Sequence, residues 1–145
     1  MRSRPIEDAD VKRILAIQAA CPEIAQWTTW DYNRVARGEM AGWVVEEEGS
    51  VAGFIVARKI AHEIEILNFA VSPELRERGI GAILLQAALA WAKTFEATHA
   101  ILEVRSSNAA ALHFYEHHNF QTVGRRSRYY NSPIEDALLL SAKLP

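Results

Sequence analysis

Cysteine is nearly absent from the 145-residue sequence, because Cys21 is the only one. This scarcity excludes an internal disulfide framework and a zinc site built from cysteines, and it is typical of a protein kept in a reducing compartment. No apolar stretch approaches the roughly 18 residues of a membrane span, and no apolar signal core follows the N-terminal residues. The sequence therefore predicts a cytoplasmic protein with no membrane partner.

An excess of positive charge is also missing. The net charge is −2 and the isoelectric point is about 6.2, which argues against direct binding of nucleic acid. No spacing of histidines and carboxylates indicates a metal site. Linkers and internal repeats are absent, and half of the residues are hydrophobic. We therefore expect one domain over residues 1–145, large enough to bury about two-thirds of its unfolded surface, with an oligomeric state that the sequence does not specify.

Hydrophobic periodicity predicts eleven elements in the order β-α-α-β-β-β-α-β-α-β-β. Strands are expected at 1–6, 41–47, 51–60, 62–71, 99–104, 120–128 and 136–144. Helices are expected at 9–20 after an Asp8 cap, up to 37 after a threonine cap, at 80–95, and at 109–118 after an Asn108 cap. This order indicates an α+β fold with a mixed, largely antiparallel sheet flanked by helices.

A turn with two glycines, Gly79 and Gly81, connects the strand predicted at 62–71 to the longest predicted helix, at 80–95. Glycine lets the backbone approach an anion closely, and the free amides of a helix N-terminus carry partial positive charge. The turn is not a Walker loop, because Ala82 and Ile83 stand where lysine and serine or threonine are required. It is not a dinucleotide fingerprint either, because Leu84 replaces the third glycine. Segment 76–82 is therefore a candidate phosphate-binding turn.

Four separated segments resemble the GNAT acetyltransferase family. Arg76-Glu77-Arg78-Gly79-Ile80-Gly81 is similar to its signature for the pyrophosphate of acetyl-coenzyme A, and Asn68-Phe69-Ala70-Val71 resembles the strand that pairs with the pantetheine arm. Segment 102–116 and the closing segment 125–137 resemble the bacterial ribosomal-protein-alanine N-acetyltransferases (RimI-like). Trp27-Thr28 resembles a Trp-Ser pair of that subfamily. The sequence departs from the family in two places. Asn119 stands where the family usually has glycine, and residues 128–133 differ in detail from the subfamily, which bears on acceptor specificity.

The resemblance implies acetyl-coenzyme A as cosubstrate and no metal. The residues that it assigns to the coenzyme are Phe69, Ala70, Val71, Arg76, Glu77, Arg78, Gly79, Ile80, Gly81, Ala82 and Asn108. Three aromatic residues are candidates to bind the acceptor, namely Trp27, Tyr32 and Tyr129. Trp27 and Tyr32 can equally fill the core, and Trp30 is expected to do so.

Two residues are candidates for the chemistry of acetyl transfer, which needs a neutral amine and a proton for the departing thiolate. Glu103 is the candidate base, since it faces away from its apolar neighbours on a short strand. Tyr115 is the candidate acid. The alternatives are a solvated glutamate on an open sheet face and a tyrosine packed in the core.

The expected acceptor is a protein N-terminus. At neutral pH about a seventh of α-amines are uncharged against about 0.04% of lysines, so a single modest base suits an α-amine better. By resemblance, the acceptor is the terminal alanine of a small-subunit ribosomal protein. A lysine or small amine as acceptor is the first alternative, and a non-catalytic coenzyme-binding module is the second.

Overall fold

The computed structural model describes all 145 residues, and its elements follow the predicted order. Strands β1 to β7 span Ser3–Pro5, Ala41–Glu47, Ser50–Ile60, Glu63–Val71, His99–Arg105, Gln121–Asn131 and Ile134–Lys143. Helices α1 to α4 span Val11–Ala19, Thr29–Ala36, Ile80–Lys93 and Ala109–His117, and short 3-10 turns occupy Asp8–Asp10 and Pro73–Leu75. No helix reaches the length and apolar character needed to cross a bilayer.

All seven strands form one sheet in the order β1-β2-β3-β4-β5-β7-β6. Every neighbouring pair is antiparallel except β4 and β5, which are parallel because the α3 crossover connects them. The predicted fold class, a mixed and largely antiparallel sheet with flanking helices, is confirmed.

Helices cover both faces of the sheet and give the core two layers. On one face, α3 buries Ile80, Leu84, Leu85 and Ala88 against β3, β4, β5 and β7, and Tyr115 of α4 joins the same cluster. On the other face, α1 and α2 bury Ile14, Ile17, Tyr32 and Val35 against β2, β3 and Ala70 of β4. Because both faces are covered, β3 is buried without interruption from Val51 to Ala57.

The parallel strands β4 and β5 are paired over only a short stretch. Only Glu63, Ile64 and Glu65 pair with residues of β5, while β5 pairs along its whole length with β7. Beyond Glu65 the two strands diverge, so β4 from Ile66 and β5 from Leu102 present unpaired edges toward each other. Such edges are ready to accept an extended ligand.

A bulge at Leu67 changes which face of the sheet β4 presents. Asn68 pairs with Val56 and Ile66 pairs with Ala57, which leaves Leu67 without a partner on β3. Ile66 therefore packs on the α3 side, whereas Ala70 packs on the α1–α2 side. Because a bulge adds one residue to one strand, the alternation reverses at this point.

Two local predictions are wrong. Asp8 is exposed and does not cap the first helix; the carboxylate of Asp10 instead accepts the backbone amide of Glu7 at 2.8 Å. Trp30 is 62% exposed rather than buried, and the guanidinium of Arg37 lies 4.9 Å from its ring centroid. The exposed Trp30 still has a stable surface position through this cation–π contact.

Candidate active site

A cleft with a volume of about 530 Å³ lies where β4 and β5 diverge. Its walls come from the loop between α1 and α2 (22–26), β4 (65–69), β5 (102–105), α4 (Asn108, Ala111, Tyr115) and the β6–β7 hairpin (Tyr129, Tyr130, Ser132). Glu103 faces the α1–α2 side, because its neighbours Leu102 and Val104 pack in the α3 cluster. Tyr115 belongs to the α3 side. The cleft therefore passes through the sheet and connects its two faces.

Glu103 lies inside this cleft with its side chain 20% exposed. Its Oε1 forms an ion pair with Nε of Arg126 at 3.2 Å. A carboxylate that is mostly withdrawn from water but still reachable from the cleft can accept a proton from a bound amine.

Tyr115 is 7% exposed, lies at the cleft wall and has no hydrogen-bond partner for its hydroxyl. Its ring contacts Phe69, Phe114 and Phe120 edge-on, with centroids 5.3 to 6.2 Å apart. Burial in this aromatic cluster raises the pKa of Tyr115 above the ordinary value for tyrosine. The phenol therefore remains protonated across the neutral and mildly alkaline range, which suits a hydrogen-bond donor better than a proton donor.

Features near the cleft fit a long, phosphate-bearing cosubstrate. The unpaired edge of β4 offers backbone groups to an amide-containing arm. The amides of Ile80, Gly81 and Ala82 have no backbone acceptor, and they open a 14-residue helix. A Cβ on Gly81 would lie 3.2 Å from Phe114 and 3.7 Å from Phe69, so the helix start adjoins the aromatic wall of the cleft. A pyrophosphate is well matched to such a helix N-terminus.

Gly79 gives the turn its shape. Its φ angle is +85°, which side chains of L-residues avoid, and nothing lies within 4 Å of a Cβ built there. Glycine is therefore needed for the backbone conformation and not for space.

The arginine side chains of the turn do not gather at the helix N-terminus. Arg76 donates to the carbonyl oxygen of Val71 at 3.2 Å, and its Nη2 lies 3.2 Å from Sγ of Cys21 and 3.3 Å from the carboxylate of Glu23. Arg78 pairs with Glu47 of β2 at 2.9 Å. The guanidinium of Arg76 thus connects the turn to the α1–α2 loop.

The cleft brings together only part of the predicted site. Glu103, Tyr115, Phe69, Asn108 and Tyr129 line it. The remaining coenzyme candidates do not line it: Ala70 and Val71 lie further along β4, and Arg76, Glu77, Arg78, Gly79, Ile80, Gly81 and Ala82 form the adjoining turn and helix start. Asn108 also caps α4 as predicted, because its side chain accepts the amide of Ala111 at 3.2 Å.

The three aromatic acceptor candidates have different environments. Tyr129 is 49% exposed at the cleft mouth. Trp27 is half-buried beside Tyr32, with ring centroids 5.4 Å apart, and it does not line the cleft. Tyr32 is fully buried and donates to Gln18, so in this conformation its side chain is a core residue that a substrate cannot reach.

A buried polar network was not expected from the sequence. Asn68 donates from its amide group to the carbonyl oxygen of Ala25 and to the hydroxyl of Tyr32, both at 3.0 Å. Gln18 donates to the carbonyl oxygen of Trp27 at 2.9 Å and accepts its amide at 3.0 Å. These hydrogen bonds fix the α1–α2 loop against β4. The sequence did contain a signal for this network. The amide side chains of Gln18 and Asn68 stand where the pattern predicts apolar residues, and a polar group buried there without a hydrogen bond would be destabilising.

The chain is similar in sequence to known acetyltransferases. The model of the Acetyltransferase (GNAT) family matches residues 11–120. A Bacillus subtilis (strain 168) protein provisionally named ribosomal protein bS18-alanine N-acetyltransferase is 32% identical over 143 residues, which are 97% of this chain and 92% of that protein. A Sulfolobus acidocaldarius protein named N-alpha-acetyltransferase is 30% identical over 150 residues, with coverage of 94% and 88%.

The architecture also matches solved structures. The crystal structure of the ribosomal-protein-S18-alanine N-acetyltransferase from Escherichia coli superposes with a TM-score of 0.86. The superposition covers 98% of this chain and 92% of the other, at 24% sequence identity. At this identity the match supports the fold.

Proposed function

Because the chain belongs to the Acetyltransferase (GNAT) family and is therefore an N-acetyltransferase, we propose that its acceptor is the α-amino group of a protein N-terminus. The observation that carries the proposal is Glu103, the one carboxylate that β5 presents to the cleft. The names of the relatives at 32% and 30% identity, ribosomal protein bS18-alanine N-acetyltransferase and N-alpha-acetyltransferase, support the same acceptor class. A ribosomal protein beginning with alanine is the specific candidate.

Acetyl-coenzyme A supplies the acetyl group as a thioester. In our proposal the backbone edge of β4 near Phe69, Ala70 and Val71 pairs with the arm of the cosubstrate, and the free amides at the start of α3 hold its pyrophosphate. Asn108 combines its capping role with a contact to the arm. These groups fix the donor so that its reactive end lies between Glu103 and Tyr115.

Glu103 accepts a proton from the acceptor's ammonium group, directly or through water. Transfer from an α-ammonium to a glutamate of ordinary pKa is uphill by about 5 kcal/mol, so a neutral amine must be selected or the proton must leave in a relay. Within a ternary complex the neutral amine nitrogen then forms its bond to the acyl carbon, and the carbon–sulfur bond breaks. The nitrogen releases the proton that the amide does not keep to water or to the thiolate.

Tyr115 stabilises the departing thiolate by donating a hydrogen bond. Proton transfer from an ordinary phenol to a thiolate is uphill by about 2 kcal/mol, and the raised pKa of Tyr115 makes it less favourable still. Tyr115 therefore contributes mainly by stabilising the negative charge that develops on the sulfur, and less by transferring its proton. The thiolate takes its proton from solvent or from the relay that starts at Glu103.

The decisive experiment incubates the protein with acetyl-coenzyme A and a panel of acceptors, and follows thiol release. We expect turnover with peptides that have a free N-terminal alanine and none with the same peptides when the N-terminus is blocked. Peptides that carry lysine but a blocked N-terminus, polyamines and amino acids form the comparison set. Turnover confined to that comparison set would refute an α-amino acceptor and favour a lysine or small amine.

A further inference from the structure

All four charged residues that line the cleft have a counterion. Glu23 pairs with Arg76 at 3.3 Å, Glu65 with Arg58 at 2.7 Å and Arg105 with Glu135 at 3.1 Å. The fourth is Glu103. A cationic acceptor that enters the cleft therefore meets charges that are already neutralised, and it must exchange with an existing cation to reach a carboxylate.

Arg126 is the cation that neutralises Glu103, and it reaches across a whole strand to do so. Glu103 of β5 is opposite Leu139 of β7, and Arg126 of β6 is opposite Ala137 of β7. Since paired residues share a face, these four side chains all point to the same side of the sheet. Ala137 is small and buried, so the arginine side chain can lie over it toward Glu103.

Other charged groups near Glu103 are committed elsewhere. The guanidinium of Arg105, two residues along β5, lies 4.2 Å from the ring centroid of Tyr130 and pairs with Glu135. Tyr130 faces Glu103 from β6 and is neutral near pH 7. Glu65 on β4 is held by Arg58. Arg126 is therefore the one cation in contact with the Glu103 carboxylate.

The strand that carries Arg126 is irregular immediately after it. The register of β6 and β7 shifts between Arg126 and Tyr130, and Arg128 has a φ angle of +53°. Asp136 holds this irregular segment by accepting the amide of Arg128 at 2.9 Å, and it also pairs with Arg125. The guanidinium of Arg126 lies 5.5 Å from the ring centroid of Tyr129 at the cleft mouth.

We propose that Arg126 is a positioning residue that occupies Glu103 in the acceptor-free enzyme and is displaced from it by the ammonium group of the incoming acceptor. The proposal rests on the proposed function, since it assumes that Glu103 receives the acceptor. The Arg126 side chain is 55% exposed, so the pair is weak and the exchange costs little affinity. After displacement the guanidinium is solvated and stays near the ring of Tyr129.

The first test is a measurement that needs no turnover. The Glu103 carboxyl is followed at neutral pH by carbon NMR in protein labelled at glutamate carboxyls, with the signal assigned from the Glu103→Gln variant. In Arg126→Ala the Glu103 signal should move from its wild-type position, because the neighbouring cation is lost. Arg126→Lys should give an intermediate position.

Arg125→Ala is the matched control. Arg125 is adjacent and similarly exposed, at 58%, but it is opposite Leu138 and so points to the other face of the sheet. The Glu103 signal should stay near its wild-type position in this variant. An unchanged signal in Arg126→Ala, or an equal change in Arg125→Ala, would overturn the proposal.

The second test measures acceptor binding by calorimetry with coenzyme A bound. A peptide with N-terminal alanine should bind about two- to fivefold more tightly to Arg126→Ala than to wild type, because no cation has to be displaced. Weaker binding would identify Arg126 as an acceptor contact and overturn the displacement. Both readouts are independent of turnover, so an enzyme that binds peptide this way but transfers no acetyl group would refute the proposed function and leave the role of Arg126 standing.

Discussion

At the scale of single residues, the carboxylate of Glu103 can be tested with little disturbance, because glutamine has nearly the same size. We expect Glu103→Gln to lower kcat/KM by about 10²- to 10⁴-fold, the usual contribution of a positioned base. Coenzyme binding should be nearly unchanged, since the free edge of β4 and the amides at the start of α3 remain. Thiol release and calorimetry with coenzyme A measure the two quantities, and a near-normal rate would reject Glu103 as the base.

Tyr115→Phe removes only a hydroxyl from the aromatic wall of the cleft. We expect kcat to fall by about 10- to 100-fold, because a hydrogen bond to the developing thiolate is lost. Because burial raises the pKa of Tyr115, the wild-type enzyme should show no loss of rate from its deprotonation below about pH 10. The pH–rate profiles of the two proteins provide the measurement, and a wild-type basic limb near pH 9 that vanishes in the phenylalanine variant would contradict this.

The environments of some of these residues can be predicted from the sequence, whereas those of others cannot, for physical reasons. Glu103 stands out because a carboxylate between Leu102 and Val104 must face the other side of the sheet. The pairing of Arg126 with it depends on the order β5-β7-β6, in which strands distant in sequence become neighbours. Trp30 is exposed against expectation, and Tyr32, which the sequence left open between core and groove, is buried, because contacts with β3 and not the local pattern decide which aromatic residue of a short helix enters the core.

At the scale of elements, the bulge in β4 decides which residues reach the α1–α2 loop. Strict alternation from Ile64 would put Asn68 on the α3 side, whereas the extra residue at Leu67 turns it toward Ala25 and Tyr32. Periodicity predicted the existence and order of all eleven elements, but a bulge leaves no periodic signal of its own. The loop's attachment to β4 was therefore hidden from the sequence.

The α1–α2 loop is also attached to the candidate phosphate-binding turn, through Arg76. We expect Arg76→Ala to raise the acceptor KM by about three- to tenfold, from loss of an exposed ion pair and a hydrogen bond to Val71. Affinity for coenzyme A should change little, because the guanidinium points to Cys21 and Glu23.

Arg78→Ala is the control for Arg76→Ala, since Arg78 belongs to the same turn but pairs with Glu47. Its acceptor KM should match the wild type. If Arg76→Ala weakened coenzyme binding and left the acceptor KM unchanged, the side chain would act on the phosphate and not on the loop. Steady-state kinetics with each substrate varied, together with calorimetry, distinguishes the two results.

At the scale of the whole molecule, a charge pair joins the first strand, β1, to the segment that leads into α1. Both terminal nitrogens of Arg4 donate to Asp10 at 2.8 Å, and Asp10 is 5% exposed. Burial acts to raise the pKa of Asp10, but hydrogen bonds from Arg4 and from the Glu7 amide outweigh it and leave the pKa lowered. The Arg4–Asp10 pair therefore stabilises the folded protein fully at pH values above the ordinary aspartate pKa. This stabilisation is lost as the pH falls through the lowered pKa of Asp10 in the folded protein.

We expect Asp10→Asn to lower the free energy of unfolding at pH 7 by about 1–3 kcal/mol, because the buried end of the pair loses its charge. The difference from wild type should shrink as the pH is lowered below about 4. Denaturant unfolding at several pH values measures it, with Asp8→Asn as a control at an exposed neighbouring position. A constant difference down to low pH would show that the charge of Asp10 contributes nothing.

The three residue pairs that join β4 to β5 also have a dynamic consequence. Past this short ladder the strand edges lack partners, so their amides should exchange with deuterium far faster than those of β5 that face β7. A pantetheine arm that occupies the gap would act as a missing strand and slow this exchange on both sides at once. In our proposal the free enzyme is thus an incomplete sheet, and the cosubstrate would be the segment that makes it continuous.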